Sequence, residues 1–315
     1  MNEEMNILKK ELSKAVIGQE SMIEGLLIGL LCDGHILVEG VPGLAKTTTI
    51  NALSKALDLS TKRIQFTPDL LPSDIIGAQI YNPQDHTFSI KKGPLFTNLL
   101  LADEINRAPA KVQSALLEVM QERQVTIGEE TFTLERPFLV MATQNPIEQE
   151  GVYALPEAQL DRFMMKLIVH HNSEAEELSI MRKAASKSFG KINAVLTREA
   201  LGKLQETLSD IHIDEELERY MVQLVSATRN PLKFELDDIA DSIMFGASPR
   251  ASIDLYKAAK AKAFLRGKSF VSPSDIGEVI HNVLRHRIVL SYEARAKGMT
   301  TDQIITRIVE TLPIP

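Results

Sequence analysis

The stretch from Gly40 to Thr47 has residue types and a spacing suited to binding a phosphate. Gly40, Lys46 and Thr47 fit the pattern G-x-x-x-x-G-K-[ST], with Ala45 in place of the second glycine. Such a loop turns backbone N–H groups toward a phosphate, and Gly43 helps the chain to curl. Lys46 is then expected at the β- and γ-phosphates, and the Thr47 hydroxyl at a magnesium ion. The substitution predicts ordinary helical backbone angles at Ala45.

The segments that flank this loop favour a functional reading. His35–Glu39 is an apolar run suited to a buried strand, and Thr48–Leu57 has the length and pattern of a helix. The alternative is a chance match, which such a relaxed pattern gives in roughly 2 of 100 chains of this length. The order of strand, loop and helix makes that alternative less favourable.

A second candidate group follows the apolar run Asn98–Ala102. Asp103 and Glu104 come directly after this run, which is typical of a strand covered on both faces. In phosphate-loop ATPases a carboxylate at the end of such a strand holds the magnesium ion. We therefore expect Asp103 at the metal and Glu104 at the attacking water, although a capped strand end followed by a solvated turn would give the same pattern.

Asn145 follows the apolar strand candidate Pro137–Thr143 and precedes Pro146. An ordinary Asn-Pro turn would explain it. If this strand lies between the other two, however, its carboxyl end brings the amide to the γ-phosphate, because open parallel sheets hold ligands at that edge.

Two arginines are further candidates. Arg162 stands beside Asp161, so a surface ion pair is the simpler explanation for it. Arg250 follows Ser248-Pro249, a helix cap and a first-turn proline, and a cation in the first turn opposes the helix dipole. A nearby anion would remove that penalty.

Strand and helix patterns alternate from His35 to about residue 170, which predicts an α/β fold with a parallel sheet. From Asn172 onward only helical patterns remain. We therefore expect two domains, 1–170 and 171–315. The helices expected in the second are Glu174–Lys187, Arg198–Leu208, Glu215–Thr228, Pro249–Leu265 and Pro273–Val283.

Composition limits the functional class. The 315 residues carry a net charge of -7, which argues against a general binder of nucleic acid or membrane surfaces. Cys32 is the only cysteine, so no disulfide framework or thiolate zinc site is expected, and a reducing cytoplasm fits. Met1–Lys14 lacks the apolar core of a signal peptide, and no run is long enough to insert into a membrane.

These motifs together resemble the MoxR-type branch of the AAA+ ATPases, the helix-2-insert branch, over essentially the whole chain. In that branch alanine is common at the position of Ala45. The carrying segments are Gly40–Thr47, Leu101–Ala108, Ala142–Pro146, Leu155–Phe163 and Ala247–Arg250.

The resemblance implies a core with a five-stranded parallel sheet and an all-α lid, assembled into a ring that is usually a hexamer, with ATP and Mg2+ held between subunits. It makes Asn145 the first sensor, Arg162 the arginine finger for the neighbouring ATP, and Arg250 the second sensor. Ala78–Lys92 corresponds to the insert and Val125–Glu135 to a second hairpin. Val16–Gln19, with Ile17 and Gly18, corresponds to the link at adenine. The expected nucleotide contacts of the loop are Gly40, Val41, Pro42, Gly43, Leu44, Ala45, Lys46, Thr47 and Thr48.

The resemblance also implies a chaperone-like motor that matures or activates protein complexes, often with a von Willebrand factor A domain protein as partner. One alternative is a nucleotide-gated binding scaffold that hydrolyses ATP slowly, as a timer. Another is a nucleic-acid motor of the related helicase branch, which the acidic composition and the lack of an added DNA-binding domain make less favourable.

Overall fold

The apolar runs of the first half form a five-stranded sheet, with helices on both sides. In the computed structural model, the described residues are 3–84, 86–146, 153–186 and 188–315. Met1, Asn2, Asp85 and Lys187, which fall within segments interpreted above, lie outside them. The strands of the first half are β1 (Ile36–Glu39), β2 (Thr61–Gln65), β3 (Gly77–Asn82), β4 (Thr87–Lys92), β5 (Leu99–Asp103), β6 (Gln124–Ile127), β7 (Glu130–Thr133), β8 (Leu139–Gln144) and β9 (Met165–Ile168). Its helices are α1 (Glu3–Leu12), α2 (Glu20–Leu31), α3 (Lys46–Leu57), α4 (Pro72–Ile76), α5 (Ala110–Glu122) and α6 (Glu157–Leu160).

The order of strands in the main sheet is β2-β5-β8-β1-β9, and all neighbours are parallel. The expected five-stranded parallel sheet is therefore confirmed. Strand β8 lies between β5 and β1, which was the condition for bringing Asn145 to the ligand edge. Two hairpins, β3-β4 and β6-β7, stand outside this sheet.

The central strands bury side chains on both faces. Leu99 and Leu101 belong to one apolar cluster, while Leu100 and Ala102 belong to a second cluster on the other side. All four are fully buried, because the period of two in a strand sends successive side chains to opposite faces. Each large aliphatic side chain buried in this way contributes about 1.5–3 kcal/mol of hydrophobic stabilisation.

The remainder of the chain is mostly helical. The expected helices are present, and the structure adds a small ribbon and further helices that the sequence analysis did not predict. These elements are α7 (Glu174–Ala185), α8 (Arg198–Thr207), α9 (Glu215–Arg229), α10 (Asp237–Ala240), β10 (Ile243–Phe245), α11 (Pro249–Leu265), α12 (Pro273–Leu284), β11 (Val289–Leu290), α13 (Tyr292–Ala296) and α14 (Thr301–Thr311). Strands β10 and β11 pair antiparallel, so the helical part carries one two-stranded ribbon.

The helical part packs against α2 and β9. Lys262 on α11 is paired with Glu24 on α2, and Arg285, which follows α12, donates to the carbonyl of Lys166 at 3.1 Å. The apolar cluster on one face of the sheet continues into α9, α11, α12 and α14. The two parts of the chain therefore share a core.

Candidate functional site

A cavity of about 380 Å³ opens at the carboxyl ends of β2, β5, β8 and β1. This is the edge at which open parallel sheets hold ligands. Most of the residues predicted to do chemistry are brought together here. The lining residues are Pro42, Gly43, Leu44, Ala45, Lys46, Thr47, Thr48, Arg63, Gln65, Asp103, Glu104, Thr143 and Asn145.

The loop between β1 and α3 has the tight course that phosphate binding needs. Gly43 has φ +87°, in the left-handed region that favours glycine. At Gly40, a Cβ would lie 2.9 Å from the carbonyl oxygen of Val169, so a side chain would force the loop away from the strand end. The Lys46 ammonium donates to the carbonyl of Gly40 at 2.5 Å, which folds the lysine back over the loop.

The expectation of helical backbone angles at Ala45 was wrong. Ala45 has φ 56° and ψ 16°, in the left-handed region, and is the N-cap of α3. Its carbonyl accepts from the backbone N–H and the hydroxyl of Thr49, at 2.8 and 2.9 Å, so it already begins the helix. The residue therefore makes the turn from the curled loop into the helix, which is why glycine is usual there.

The charge of Lys46 is balanced by its surroundings. Partial burial lowers the pKa of its ammonium, and the carboxylates of Asp103 and Glu104 oppose that shift. Lys46 and the two carboxylates line the same cavity. A polyphosphate bound there would balance the charge of the lysine, and a metal ion would balance the charge of the carboxylates.

Asp103 ends β5 and is held by two neighbours. Its Oδ2 accepts from the guanidinium of Arg63 at 2.7 Å, and its Oδ1 accepts from the hydroxyl of Thr143 at 2.6 Å. Thr143 lies on β8 and Arg63 on β2, so the strands on both sides fix this carboxylate.

Glu104 turns out of the strand with φ 56°, which aims its side chain into the cavity. Its carboxylate accepts from the amide of Gln65 at 2.7 Å and from Arg107 at 3.2 Å. Its backbone N–H donates to the hydroxyl of Thr143 at 2.9 Å. Thr143 therefore bridges the two acidic residues.

The residues present fit a magnesium ion. Thr47 and Asp103 line the same cavity and offer a hydroxyl and a carboxylate, the hard oxygen donors that Mg2+ prefers. Asn145 is buried and lines the same cavity, just beyond the end of β8.

Other predicted contacts lie elsewhere. Gly40, Val41, Ile17 and Gly18 are not among the residues that line this cavity. The carbonyl of Ile17 accepts from the side-chain amide of Asn172 at 2.8 Å, which ties the link before α2 to the start of the helical part.

Arg162 and Arg250 line a different cavity, of about 270 Å³, together with Met120 and Ile253. The guanidinium of Arg162 donates to the carbonyl of Leu117 on α5 at 2.8 Å. Asp161 does supply the anion expected near Arg250, since the two side chains are 4.0 Å apart.

The two cavities lie at opposite edges of the sheet. Met165, three residues after Arg162, pairs with Ile36 at the amino end of β1, whereas the phosphate loop leaves its carboxyl end. A four-residue strand spans about 13 Å. The structure therefore does not bring Arg162 to the loop of its own chain.

Sequence reasoning missed three residues of the first cavity: Arg63, Gln65 and Thr143. All three lie in the last three residues of strands that adjoin β5. Polar residues at the carboxyl ends of these strands were the available signal, since those ends meet at one edge.

Within the described residues, no helix is both long and apolar enough to cross a membrane.

Comparisons with known proteins agree with this geometry. The model of the ATPase family associated with various cellular activities (AAA) matches residues 35–165, and an AAA lid domain model matches residues 237–308. Chaperone MoxR1 of Mycobacterium tuberculosis is 48% identical over 97% of this chain and 81% of its own length. Protein MoxR of Paracoccus denitrificans is 33% identical over 96% of this chain and 94% of its own.

A crystal structure of a protein from Cytophaga hutchinsonii superimposes with a TM-score of 0.94 at 50% identity, covering 100% of this chain and 96% of that one. The match spans both the sheet and the helical part, as do the matches to the two MoxR proteins. The chain therefore belongs to the MoxR-type AAA+ ATPases.

Proposed function

We propose that this protein is a magnesium-dependent, ATP-hydrolysing motor that works as a ring, most simply a hexamer, and remodels client protein complexes in a chaperone-like way. We take it as two domains, a core at 1–170 and a lid at 171–315. A cytoplasmic location fits the single cysteine.

One observation carries the proposal. The groups that could bind ATP and activate water lie at one edge of the sheet, and Arg162 and Arg250 lie together at the other. A complete phosphoryl-transfer site needs both sets. Two copies arranged head to tail would supply them, because a heterologous contact places one surface of each subunit against a different surface of the next.

Each side chain then has a defined task. The loop N–H groups and Lys46 hold the phosphates, while Thr47 and Asp103 hold the metal, which when bound neutralises developing charge on the phosphate oxygens. Glu104 orients the attacking water and takes its proton, and Asn145 contacts the γ-phosphate. The neighbouring subunit contributes Arg162 and Arg250. We assign the adenine contact to Ile17 and Gly18.

The remodelling part of the proposal is supported by the β3-β4 hairpin. The rings of Tyr81 and Phe88 contact each other on its surface in a tilted arrangement, with centroids 5.1 Å apart, and Ile80, Tyr81 and Phe88 are all exposed. An exposed apolar hairpin is suited to contact a client protein. We expect a von Willebrand factor A domain protein among the partners. Nucleic acid is a less favoured partner for a chain with a net charge of -7.

A second function, a nucleotide-gated scaffold with slow hydrolysis, is favoured by a different observation. Both acidic residues already have partners, Asp103 with Arg63 and Glu104 with Gln65. A carboxylate held in this way must be released before it can serve the metal or the water. If these carboxylates are released slowly, hydrolysis is slow as well and can serve only as a timer.

The variant Glu104→Gln tests the proposal, because it removes the base and keeps the shape. We expect phosphate release to fall about 10²- to 10⁴-fold while ATP binding, measured by calorimetry, is kept. Lys46→Ala is the matched control, which should lose binding itself. Equal hydrolysis by Glu104→Gln and the unmodified protein would refute the motor.

Turnover separates the two functions. A steady-state rate on the order of 10⁻³ per second or below, as in unassisted timer GTPases, would favour the scaffold. Faster turnover by the assembled protein would favour the motor. A pull-down with Glu104→Gln in ATP should retain the client in either case.

A further inference from the structure

The segment Arg285-His286-Arg287, directly after α12, has no role in the function proposed above. In the sequence it is merely a short basic run. In the structure the side chain of Arg287 is only 1% exposed, and it lies between the helical part and the segment that precedes β9.

One set of hydrogen bonds from Arg287 goes to the residues on both sides of Arg162. Its guanidinium donates to the carboxylate of Asp161 at 2.8 Å and to the carbonyls of Asp161, Phe163 and Met164 at 3.2, 2.9 and 3.2 Å. These acceptors stand on both sides of Arg162 in the chain. The backbone that carries Arg162 is therefore clamped by a single side chain.

A second set of bonds leads to Arg250. Arg287 donates to the carboxylate of Asp254 at 2.5 Å, and Asp254 lies on α11 one turn after Arg250. Asp161, held by Arg287, also accepts from the hydroxyl of Ser248, the N-cap of α11, at 2.9 Å. The first turn of α11 is thus fixed to the same guanidinium.

No other side chain could replace this fork. Arginine has five donors in a rigid plane, and here they serve two carboxylates and several carbonyls. Lysine keeps the charge but has a point-like ammonium with three donors, so it cannot hold Asp161 and Asp254 and the carbonyls together.

We propose that Arg287 is a positioning residue that fixes Arg162 and Arg250 relative to each other, so that both reach the same nucleotide in the neighbouring subunit. This inference rests on the proposed function. The guanidinium groups of Arg162 and Arg250 stabilise the same transition state more effectively if their separation is already fixed. A displacement of about 1 Å can lower the rate roughly 10²-fold. The alternative is that Arg287 merely holds the helical part to the sheet.

Arg287→Lys tests the proposal, with Arg285→Lys as the matched control. Arg285 also joins the helical part to β9 through the carbonyl of Lys166, and it pairs with Asp302. Within the described part of the chain, the hydrogen bonds of Arg285 go to Lys166, Asn282 and Asp302 and reach neither Asp161 nor Asp254. We expect Arg287→Lys to lower kcat about 10- to 100-fold without changing ATP affinity, and Arg285→Lys to keep near-normal turnover.

Mixed rings separate positioning from general damage. Arg287→Lys subunits keep their own ATP site, so mixing them with Lys46→Ala subunits, which keep good arginines, should restore turnover. Mixing them with Arg162→Ala subunits should not restore it, because both lack a competent arginine pair. Recovery with Arg162→Ala would place the defect in the nucleotide site of the variant and overturn the proposal.

Asp254→Asn serves if Arg287→Lys does not fold, since it removes one charged partner and keeps the shape. It should give the same pattern of recovery with a smaller loss. Normal turnover in whichever variant folds overturns the inference. If Arg162→Ala alone is inactive in that case, the proposed function survives; if Arg162→Ala is fully active, both are refuted.

Discussion

The guanidinium of Arg63 donates to Asp103 at 2.7 Å across two neighbouring strands of the sheet. The carboxylate proposed for the metal therefore has a cation beside it. The other oxygen of Asp103 accepts from Thr143. Arg63 and a metal ion would therefore compete for the negative charge of the Asp103 carboxylate.

Replacing Arg63 should therefore strengthen metal binding. The Arg63 side chain is 53% exposed, and exposed ion pairs are worth about 0.2–1 kcal/mol, which corresponds to roughly a 1.5- to 5-fold change. We expect Arg63→Gln to bind Mn2+ more tightly by about that factor in the nucleotide complex, measured by electron paramagnetic resonance. Arg63→Lys keeps the positive charge, so its Mn2+ affinity should lie between those of Arg63→Gln and the unmodified protein. Weaker Mn2+ binding in Arg63→Gln would contradict the competition.

Thr143 should be needed for the acidic pair to work as a unit. Its hydroxyl donates to Asp103 and accepts from the backbone N–H of Glu104, and the residue is 1% exposed. Thr143→Val leaves that N–H without its partner, at a cost of about 1–3 kcal/mol in unfolding free energy. We also expect about tenfold slower hydrolysis, because the carboxylate of Asp103 and the backbone of Glu104 both lose the hydroxyl that holds them. Thr143→Ser keeps the hydroxyl, and equal activity in the valine and serine variants would rule this role out.

The sequence was most informative where a local pattern has one structural solution. The apolar runs before the phosphate loop, Asp103 and Asn145 became neighbouring parallel strands, and their carboxyl ends placed Lys46, Asp103 and Asn145 around one cavity. Periodicity also located most of the longer helices within a few residues of their observed ends. Such features depend on short stretches of chain.

Two kinds of feature were not predictable, an unusual backbone angle at a tight turn and contacts between distant segments. The left-handed angles of Ala45 arise from the turn between loop and helix, and substitution by alanine gave the opposite expectation. The bonds of Arg287 to Asp161 and Asp254 join positions 126 and 33 residues apart. Nothing near Arg287 in the chain indicates these partners.

Ala45→Gly should stabilise the free protein. A residue with a Cβ in the left-handed region costs about 1–2 kcal/mol, whereas glycine adopts it freely. Glycine also adds entropy to the unfolded chain, which offsets part of this gain. We therefore expect the free energy of unfolding, measured in urea, to rise by about 0.5–1 kcal/mol. Ala45→Val should lose stability, because a β-branched residue tolerates this region poorly. A less stable glycine variant would contradict the backbone geometry.

His35 should make stability depend on pH. The backbone N–H of Val140 donates to its Nδ1 and its Nε2 donates to the carbonyl of Met120, both at 3.0 Å, so the buried ring is neutral. Burial, together with the charge of Arg123, lowers its pKa to about 3. The unfolded chain, with a pKa near 6.5, then binds more protons between these values, and stability falls as the pH drops below about 6.5.

The contribution of His35 is full above pH 6.5 and decreases by about 2 kcal/mol on going to pH 5. His35→Gln removes the titrating ring, so the difference in unfolding free energy between pH 7.5 and pH 5 should shrink by about that amount. Denaturant unfolding at the two pH values measures it. An unchanged difference would mean that His35 is not the group responsible.

Mixing Lys46→Ala with Arg162→Ala subunits tests most directly whether ATP is hydrolysed between subunits. Each variant alone should be nearly inactive, the first without bound ATP and the second without the finger, whose loss costs about 10³- to 10⁵-fold in comparable enzymes. In a random equal mixture, roughly one quarter of the interfaces join an intact ATP site to an intact Arg162, given head-to-tail contacts. We expect steady-state phosphate release near that fraction of the unmodified rate. No recovery in rings verified to contain both subunits would mean that ATP is not hydrolysed between subunits.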